Sequence, residues 1–297
     1  MDLKQLRYFT AVIDEGGVRK AAHHVAVSQP ALTVAIQNLE AELGVKLFAR
    51  VGRSLKPTAE GFHFYQHARA LLAQAETAKA DMASLKSLAK AEIKIAAPIT
   101  IASYVLADPI SSFMETHPGM RISFSQMGGP LVESALMKGD IDIGVLSRKP
   151  RAAEVIPHQL YDKKICTFVK PSHTLAKQKY ITWPELLSYP IVTLPKSYVL
   201  YENLMSKANH YRVSADIILE SDVVPLLSST IQNSNAVGLF LDSVADYENN
   251  LIALPILNED GQTDGSDTRV IISACHLKNA PLSIAAKALL KHLEKAL

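Results

Sequence analysis

Leu3, Leu6, Phe9, Val12 and Ile13 recur at the spacing of one helical face, and Gly16-Gly17 interrupts the pattern. A short second helix is expected over 18–25 with Ala21, Ala22 and Val25 turned inward, small enough to let another helix come close. Ser28 then stands as an N-cap, and Pro30 is tolerated in a first helical turn because its missing N–H has no intrahelical bond to lose. The helix that follows buries Leu32, Ala35, Ile36, Leu39 and Leu43 and turns Gln29, Thr33 and Gln37 outward, flanked by Val34 and Asn38. Gly44 stops it. Segments 47–50 and 53–56 read as a small hairpin turning at Val51-Gly52 with its basic residues outward.

A long helix comes next, capped by Thr58 and carrying Glu60 in its first turn, where the helix dipole favours a carboxylate. Phe64, Ala68, Leu71, Ala75, Ala78, Met82, Leu85 and Ala89 alternate at spacings of four and three along it. That is an a/d seam, the pattern of two helices pairing lengthwise. From residue 91 short apolar runs alternate with helical patterns. Strands are expected at 92–97, 121–127, 141–146, 165–170, 191–194, 216–219, 236–240, 251–255 and 270–275. Helices are expected at 101–116, 131–138, 184–188, 198–209, 223–232, 242–247 and 282–296. Such alternation is α/β, with ligands beyond the carboxyl ends of the strands.

A length of 297 residues suits two or three domains, and 48% hydrophobic with 20% charged residues describes a globular chain. The net charge of +2 hides an asymmetry: residues 1–90 carry 12 Lys/Arg and 8 Asp/Glu (+4), residues 91–297 carry 19 and 21 (−2). A basic run as short as Lys46 to Arg69 is more often a solvated face than a nucleic-acid contact. Two short helices across a tight turn, followed by a basic hairpin, suit a helix-turn-helix with a wing. A three-helix bundle with an incidental hairpin is equally open on periodicity alone.

Other chemistry is sparse. Asp2 and Lys4 stand where a signal peptide needs an apolar run, and the longest uncharged stretch, 223–241, carries Pro225 and several Ser, Asn and Gln. No membrane span is expected. Cys166 and Cys275 form no redox or metal motif and suit a reducing cytoplasm. His63 and His67 have metal-ligand spacing without a third ligand, and Asp140 and Asp142 at a strand start suit a turn cap better than a carboxylate dyad. No catalytic motif, cofactor fingerprint or metal set is recognised, which leaves an α/β enzyme as the minor alternative for 91–297. A purely architectural DNA-binding protein would not need so large a second domain.

The run from Leu6 to Gly61, with LRYF, the alanine pair, VSQPAL, LE-x-ELG-x-KLF-x-R and KPTAEG in order, closely resembles the DNA-binding domain of LysR-type transcriptional regulators. HPGMRISF, LMKGDIDIGVLS, PSHTLA and AVGLFLDSV extend the resemblance more loosely. It implies a winged helix-turn-helix over 1–58, a dimerising linker helix over 59–90 and a two-lobed domain like a periplasmic binding protein over 91–297. One lobe would take 91–161 with 266–297 and the other 162–265. The implied partners are double-stranded operator DNA and a small-molecule effector, within a cytoplasmic homodimer or homotetramer. Where the family often has Ser-Arg-Gln after VSQPAL, this chain has Thr33-Val34-Ala35.

Candidate DNA contacts are Ser28, Gln29, Pro30, Thr33, Val34 and Gln37 on the helix, with Arg50, Arg53 and Lys56 on the wing. Candidate effector contacts follow strand ends: Thr100 and Ile101, Gly128 and Gly129, Ser147 and Arg148, then Thr193, Gly238 and Phe240 on the opposite wall. Arg148 is the fixed cation best placed for a carboxylate, so an organic acid is the candidate effector.

Overall fold

The computed structural model describes residues 1–51, 54–86, 92–257, 268–280 and 282–297, and the side chains of 50, 51, 54, 80, 81 and 83–86 also lie outside the description. Two compact units are present, one over Met1–Lys86 and the other over the bulk of the remainder.

In the first unit, α1 (Leu3–Asp14) opens with a capping box from Asp2 and Gln5, and α2 (Val18–His24) and α3 (Gln29–Leu43) follow. Strands β1 (Phe48–Val51) and β2 (Ser54–Pro57) pair antiparallel, Phe48 opposite Pro57 and Val51 opposite Ser54. Helix α4 (Ala59–Lys86) runs 28 residues. Leu6, Phe9, Val12, Ala21, Leu32, Leu39 and Leu47 form the core, with the ring of Phe9 5.5 Å from Phe48 and 5.2 Å from Phe64.

One carboxylate fixes the hairpin to α3. Glu40 is buried, and its Oε1 accepts the N–H groups of Leu47 (2.9 Å) and Phe48 (3.1 Å). Its Oε2 accepts Lys46 Nζ at 2.7 Å. Burial alone pushes the carboxyl pKa up, but the hydrogen bonds from Lys46, Phe48 and Leu47 and the Lys46 charge outweigh it and hold it below the usual carboxylate value. At the start of α4, Thr58 Oγ1 accepts the Gly61 N–H (2.9 Å) and donates to the Lys46 carbonyl (2.7 Å). Gly61 itself lies against the Leu47 carbonyl, where a Cβ would stand 2.1 Å from the oxygen.

The expected seam of α4 divides. Ala68 is buried in the first unit's own core, and Phe64, Tyr65 and Leu72 pack against it while remaining half-buried. Leu71 (42%) and Met82 (59%), on the same helical face farther along α4, are exposed. The 4-3 spacing fits a self-packed base as well as a pairing seam, which is why the pattern alone did not separate them. Leu85's side chain and Ala89 lie outside the described residues.

The second unit runs β3 (Glu92–Ala97), α5 (Ile99–Tyr104), α6 (Ala107–Thr116), β4 (Arg121–Gln126), α7 (Gly129–Lys138), β5 (Ile143–Leu146) and β6 (Val155–Val169). Then come β7 (Ile181–Thr182), α8 (Trp183–Leu186), β8 (Ile191–Thr193), α9 (Val199–Tyr211), β9 (Ile217–Glu220), α10 (Val224–Asn233) and β10 (Val237–Leu241). Strands β11 (Ile252–Leu257) and β12 (Arg269–Leu277) precede α11 (Ile284–Ala296). The strand order is β4-β3-β5-β12-β6-β10-β8-β9, with β11 on β6 and β7 on β11.

Two expectations change here. The helix expected over 101–116 is two helices, because Pro109 lacks an N–H and fits only a new first turn; the Val105 and Leu106 N–H groups both bond back to Ile101. The strand expected at 165–170 is the end of the 15-residue β6. Its first part pairs with β12 and its last five residues with β10 and β11, so one strand is common to both halves of the sheet. The sequence signal marked only the fully buried end, since the earlier stretch carries Asp162, Lys163 and Lys164 on a half-buried ribbon.

Two measurements check the packing of the first unit. Gly61→Ala should lower stability by about 1–3 kcal/mol through overpacking, whereas Gly17→Ala, with nothing within 4 Å and an extended φ, should be close to neutral in the same thermal melts. Glu40→Gln should cost about 1–3 kcal/mol at neutral pH. A carboxylate whose folded pKa is depressed contributes stability above its unfolded value, about 4.3, and loses it as the pH falls through the folded one. The gap between wild type and Glu40→Gln should therefore close in acid; a gap constant down to about pH 3 would contradict the assignment.

Candidate nucleic-acid interface and effector cleft

In α3, Ser28 Oγ accepts the Ala31 N–H at 3.3 Å, fixing the helix start and leaving the hydroxyl proton to donate outward. Gln29, Pro30, Ala31, Val34, Gln37 and Asn38 are exposed. Thr33 is half-buried, and its hydroxyl donates to the Gln29 carbonyl at 2.9 Å, so only its methyl and lone pairs remain for a partner. Lys56 on β2 is exposed; Arg50's side chain and all of Arg53 lie outside the described residues. On α4 the rings of His63 and His67 meet edge to face at 5.0 Å, and among the described residues no group of three or more metal-ligating side chains occurs.

In the second unit a cavity of about 10 Å³ lies between the two halves of the sheet. Thr100, Ile101 and Ser147 line it from the first half, and Leu194, Tyr198, Leu200 and Leu241 from the second. That volume holds at most one water. Its flanks are tied across the halves. Tyr104 donates to Glu248 at 3.1 Å and Tyr247 to Asp108 at 3.2 Å, with the two rings edge to face at 5.3 Å. Burial, then the Glu248 charge and hydrogen bond, push the Tyr104 hydroxyl up to about 12. Gly128 admits Ser197 of the other half so closely that a Cβ would stand 2.9 Å from its Oγ.

Arg148 does not stand open to a ligand. Its Nη2 reaches Glu133 Oε2 at 2.6 Å and its Nη1 donates to the Lys149 carbonyl at 3.1 Å. Glu133 Oε1 also accepts the N–H groups of Arg151 and Ala152, each at 2.6 Å. Burial pushes the Glu133 carboxyl up, but those bonds and the Arg148 charge hold it low. The guanidinium thus clamps the 147–152 loop to α7. The local sequence holds no sign of this pairing, because Glu133 lies 15 residues away on another element.

Gly238 and Phe240 are also placed elsewhere. A Cβ on Gly238 would meet Ile231 of α10 at 2.4 Å, and Phe240 stacks edge to face on Phe168 at 5.5 Å, both inside the core. The cavity residue from β10 is Leu241, next to them. Tyr198 and Leu200, at the start of α9, were missed because an aromatic and a leucine at a helix start read as ordinary core. Thr193 is fully buried one residue before Leu194, and its hydroxyl has no hydrogen-bond partner among the described residues. Asp142 accepts the Lys94 N–H at 2.7 Å and joins two strands. Burial first of all pushes Cys166 and Cys275 up to about 12, so neither is a thiolate at neutral pH.

Comparison with known proteins agrees with both units. Residues 3–62 match the family of bacterial regulatory helix-turn-helix proteins of the lysR type, and residues 86–297 match the LysR substrate binding domain. The transcriptional regulator BenM of Acinetobacter baylyi is 33% identical over 199 residues, 66% of this chain and 65% of that protein. The transcriptional dual regulator GltC of Bacillus subtilis is 31% identical over 238 residues, 80% of this chain and 76% of that protein. A full-length OxyR variant from Pseudomonas aeruginosa has the same fold, with a TM-score of 0.71 at 19% identity over 99% of this chain and 94% of that one. Among the described residues no helix is long and apolar enough to cross a membrane. A helix-turn-helix with its wing and long α4, followed by a two-part α/β unit of this family, makes the chain a member of the LysR family of DNA-binding transcriptional regulators.

Proposed function

We propose that the chain binds operator DNA as a homodimer or a pair of dimers, and that a small organic molecule seated between the halves of 91–297 alters that binding. Ser28, Gln29, Pro30, Thr33, Val34 and Gln37 would face the major groove, and Lys56 with Arg50 and Arg53 the phosphates or minor groove. The domain limits 1–58, 59–90 and 91–297, with lobes 91–161 plus 266–297 and 162–265, belong to this reading.

The cavity between the halves is the observation that carries the effector reading. Two hydroxyls, on Thr100 and Ser147, meet walls of Ile101, Leu200 and Leu241, the mixture that suits a small amphipathic molecule. An organic acid remains the first candidate. Its oxygens would be met by those hydroxyls and by the Gly128-Gly129 backbone, with Thr193 behind the opposite wall; Arg148 supplies no counter-charge, because Glu133 holds it. A space of about 10 Å³ admits no such molecule until the halves part, against the Tyr104–Glu248 and Tyr247–Asp108 bonds. Binding energy and inter-lobe geometry are coupled for that reason.

Thermal-shift measurements on the full chain with benzoate, succinate and their neutral amides test the effector reading. An acid should raise the Tm, and Thr100→Ala with Ser147→Ala should abolish the shift; a shift from amides alone ends the acid hypothesis. Arg148→Ala should cost about 3–5 kcal/mol without any ligand, since it strands the buried Glu133 carboxylate. For the assembly, Leu71→Asp with Met82→Asp places two charges on the exposed apolar positions of α4. Sedimentation should show a smaller species and operator affinity should fall with it; an unchanged sedimentation coefficient would remove α4 from the interface.

A further inference from the structure

Helix α3 is unusual for an element that enters a polyanion's groove, because Gln29–Leu43 contains no Lys or Arg. The exposed residues from its start to Asn38, namely Gln29, Pro30, Ala31, Val34, Gln37 and Asn38, are uncharged, and Pro30, Val34 and Gln37/Asn38 recur at helical spacing to form one stripe. Val34 is 52% exposed in that stripe. Thr33 turns its hydroxyl back to the Gln29 carbonyl, so it adds a methyl and no donor. A lone exposed valine is ordinary surface. An amide-and-methyl stripe with no cation, on the helix that meets DNA, is a chemical constraint.

The major groove offers one apolar feature, the thymine 5-methyl group, and its guanine edge is read chiefly by Arg or Lys, while Asn and Gln fit the adenine edge. We infer that α3 reads A·T pairs: Val34, with Pro30 and Ala31 beside it, packs on a thymine methyl, and Gln37 and Asn38 take adenine N6 and N7. The charge needed by the phosphates then comes from outside the helix. Arg19 and Lys20 are exposed on α2, and Lys56 on the wing. Sequence preference and salt dependence accordingly reside in different elements. The inference rests on the proposed reading that α3 enters the major groove and is independent of the effector reading.

The test uses the full chain and a duplex pool with 20 random base pairs, selected at one salt concentration with wild type, Val34→Ala and Val34→Arg. Wild type should enrich half-sites without a fixed G·C pair under α3, and Val34→Arg should gain a guanine at one position. Each thymine of the wild-type site is then replaced in turn by deoxyuridine, which keeps the base pair and removes the methyl group. One such replacement per half-site should weaken wild-type binding about fourfold, the worth of one buried methyl, and leave Val34→Ala nearly unaffected. Gln37→Ala should relax an adenine preference in the same half-site. A fixed G·C pair that persists in Val34→Ala, a deoxyuridine effect equal in wild type and Val34→Ala, no deoxyuridine effect at all, or no enriched sequence would each overturn the inference. Because Val34 is exposed, both variants should keep the wild-type Tm, which separates lost readout from lost fold.

Discussion

A buried carboxylate that accepts two consecutive backbone N–H groups and one cation is the device on which both working surfaces of this regulator depend. Glu40 gathers Leu47, Phe48 and Lys46, and Glu133 gathers Arg151, Ala152 and Arg148. In each case a helix reaches out to a loop that follows it in the chain and would otherwise bury unpaired amides, each costing on the order of 1–3 kcal/mol. The hydrogen bonds outweigh desolvation and keep both carboxyls ionised. Removing the cation would leave a buried carboxylate short of its partner in either site, and removing Glu133 would leave the largely buried Arg148 unpaired, whereas Lys46 stays in solvent. Glu40 thereby sets the position of the wing against α3, and Glu133 sets the loop that carries Ser147 to the cavity.

The second unit adds a different constraint, that its two halves share β6. A continuous strand allows rotation of one half against the other while keeping their order. Closure is held by two tyrosine hydroxyls reaching across to carboxylates, a restraint of about 1.5–3 kcal/mol for each hydrogen bond to a charged group. A ligand with a few kcal/mol of preference for a parted arrangement is enough to shift such an equilibrium. The buried Glu133–Arg148 pair lies within one half and does not tie it to the other.

Between the units the chemistry is divided. The first has a helix face without cations, with basic residues on α2 and the wing around it; the second, carrying the negative balance of charge, presents hydroxyls and apolar walls to its cavity. The cysteines are buried and held as thiols, and the exposed histidine pair of α4 is ring against ring.

The sequence by itself determined the parts whose physics is local. The apolar spacing of Leu6, Phe9 and Val12, the Ser28 cap, Pro30 in the first turn and the Thr58 cap all act within one or two turns, and each was legible and recurs in the structure. The family resemblance rested on the same segment, where such signals are dense. What only the tertiary structure decided was what each outward group meets. Arg148 read as a free cation until Glu133, from helix α7, closed on it; Phe64 and Ala68 read as a pairing seam, and the structure also packs them against the first unit's own core. Gly238 and Phe240 read as strand-end residues, but α10 and Phe168 enclose them, and the cavity wall passes to Leu241 and Tyr198. In every such case the deciding partner sits on another element of structure, and hydrophobic period or strand-end position carries no information about which neighbouring element will close on a residue.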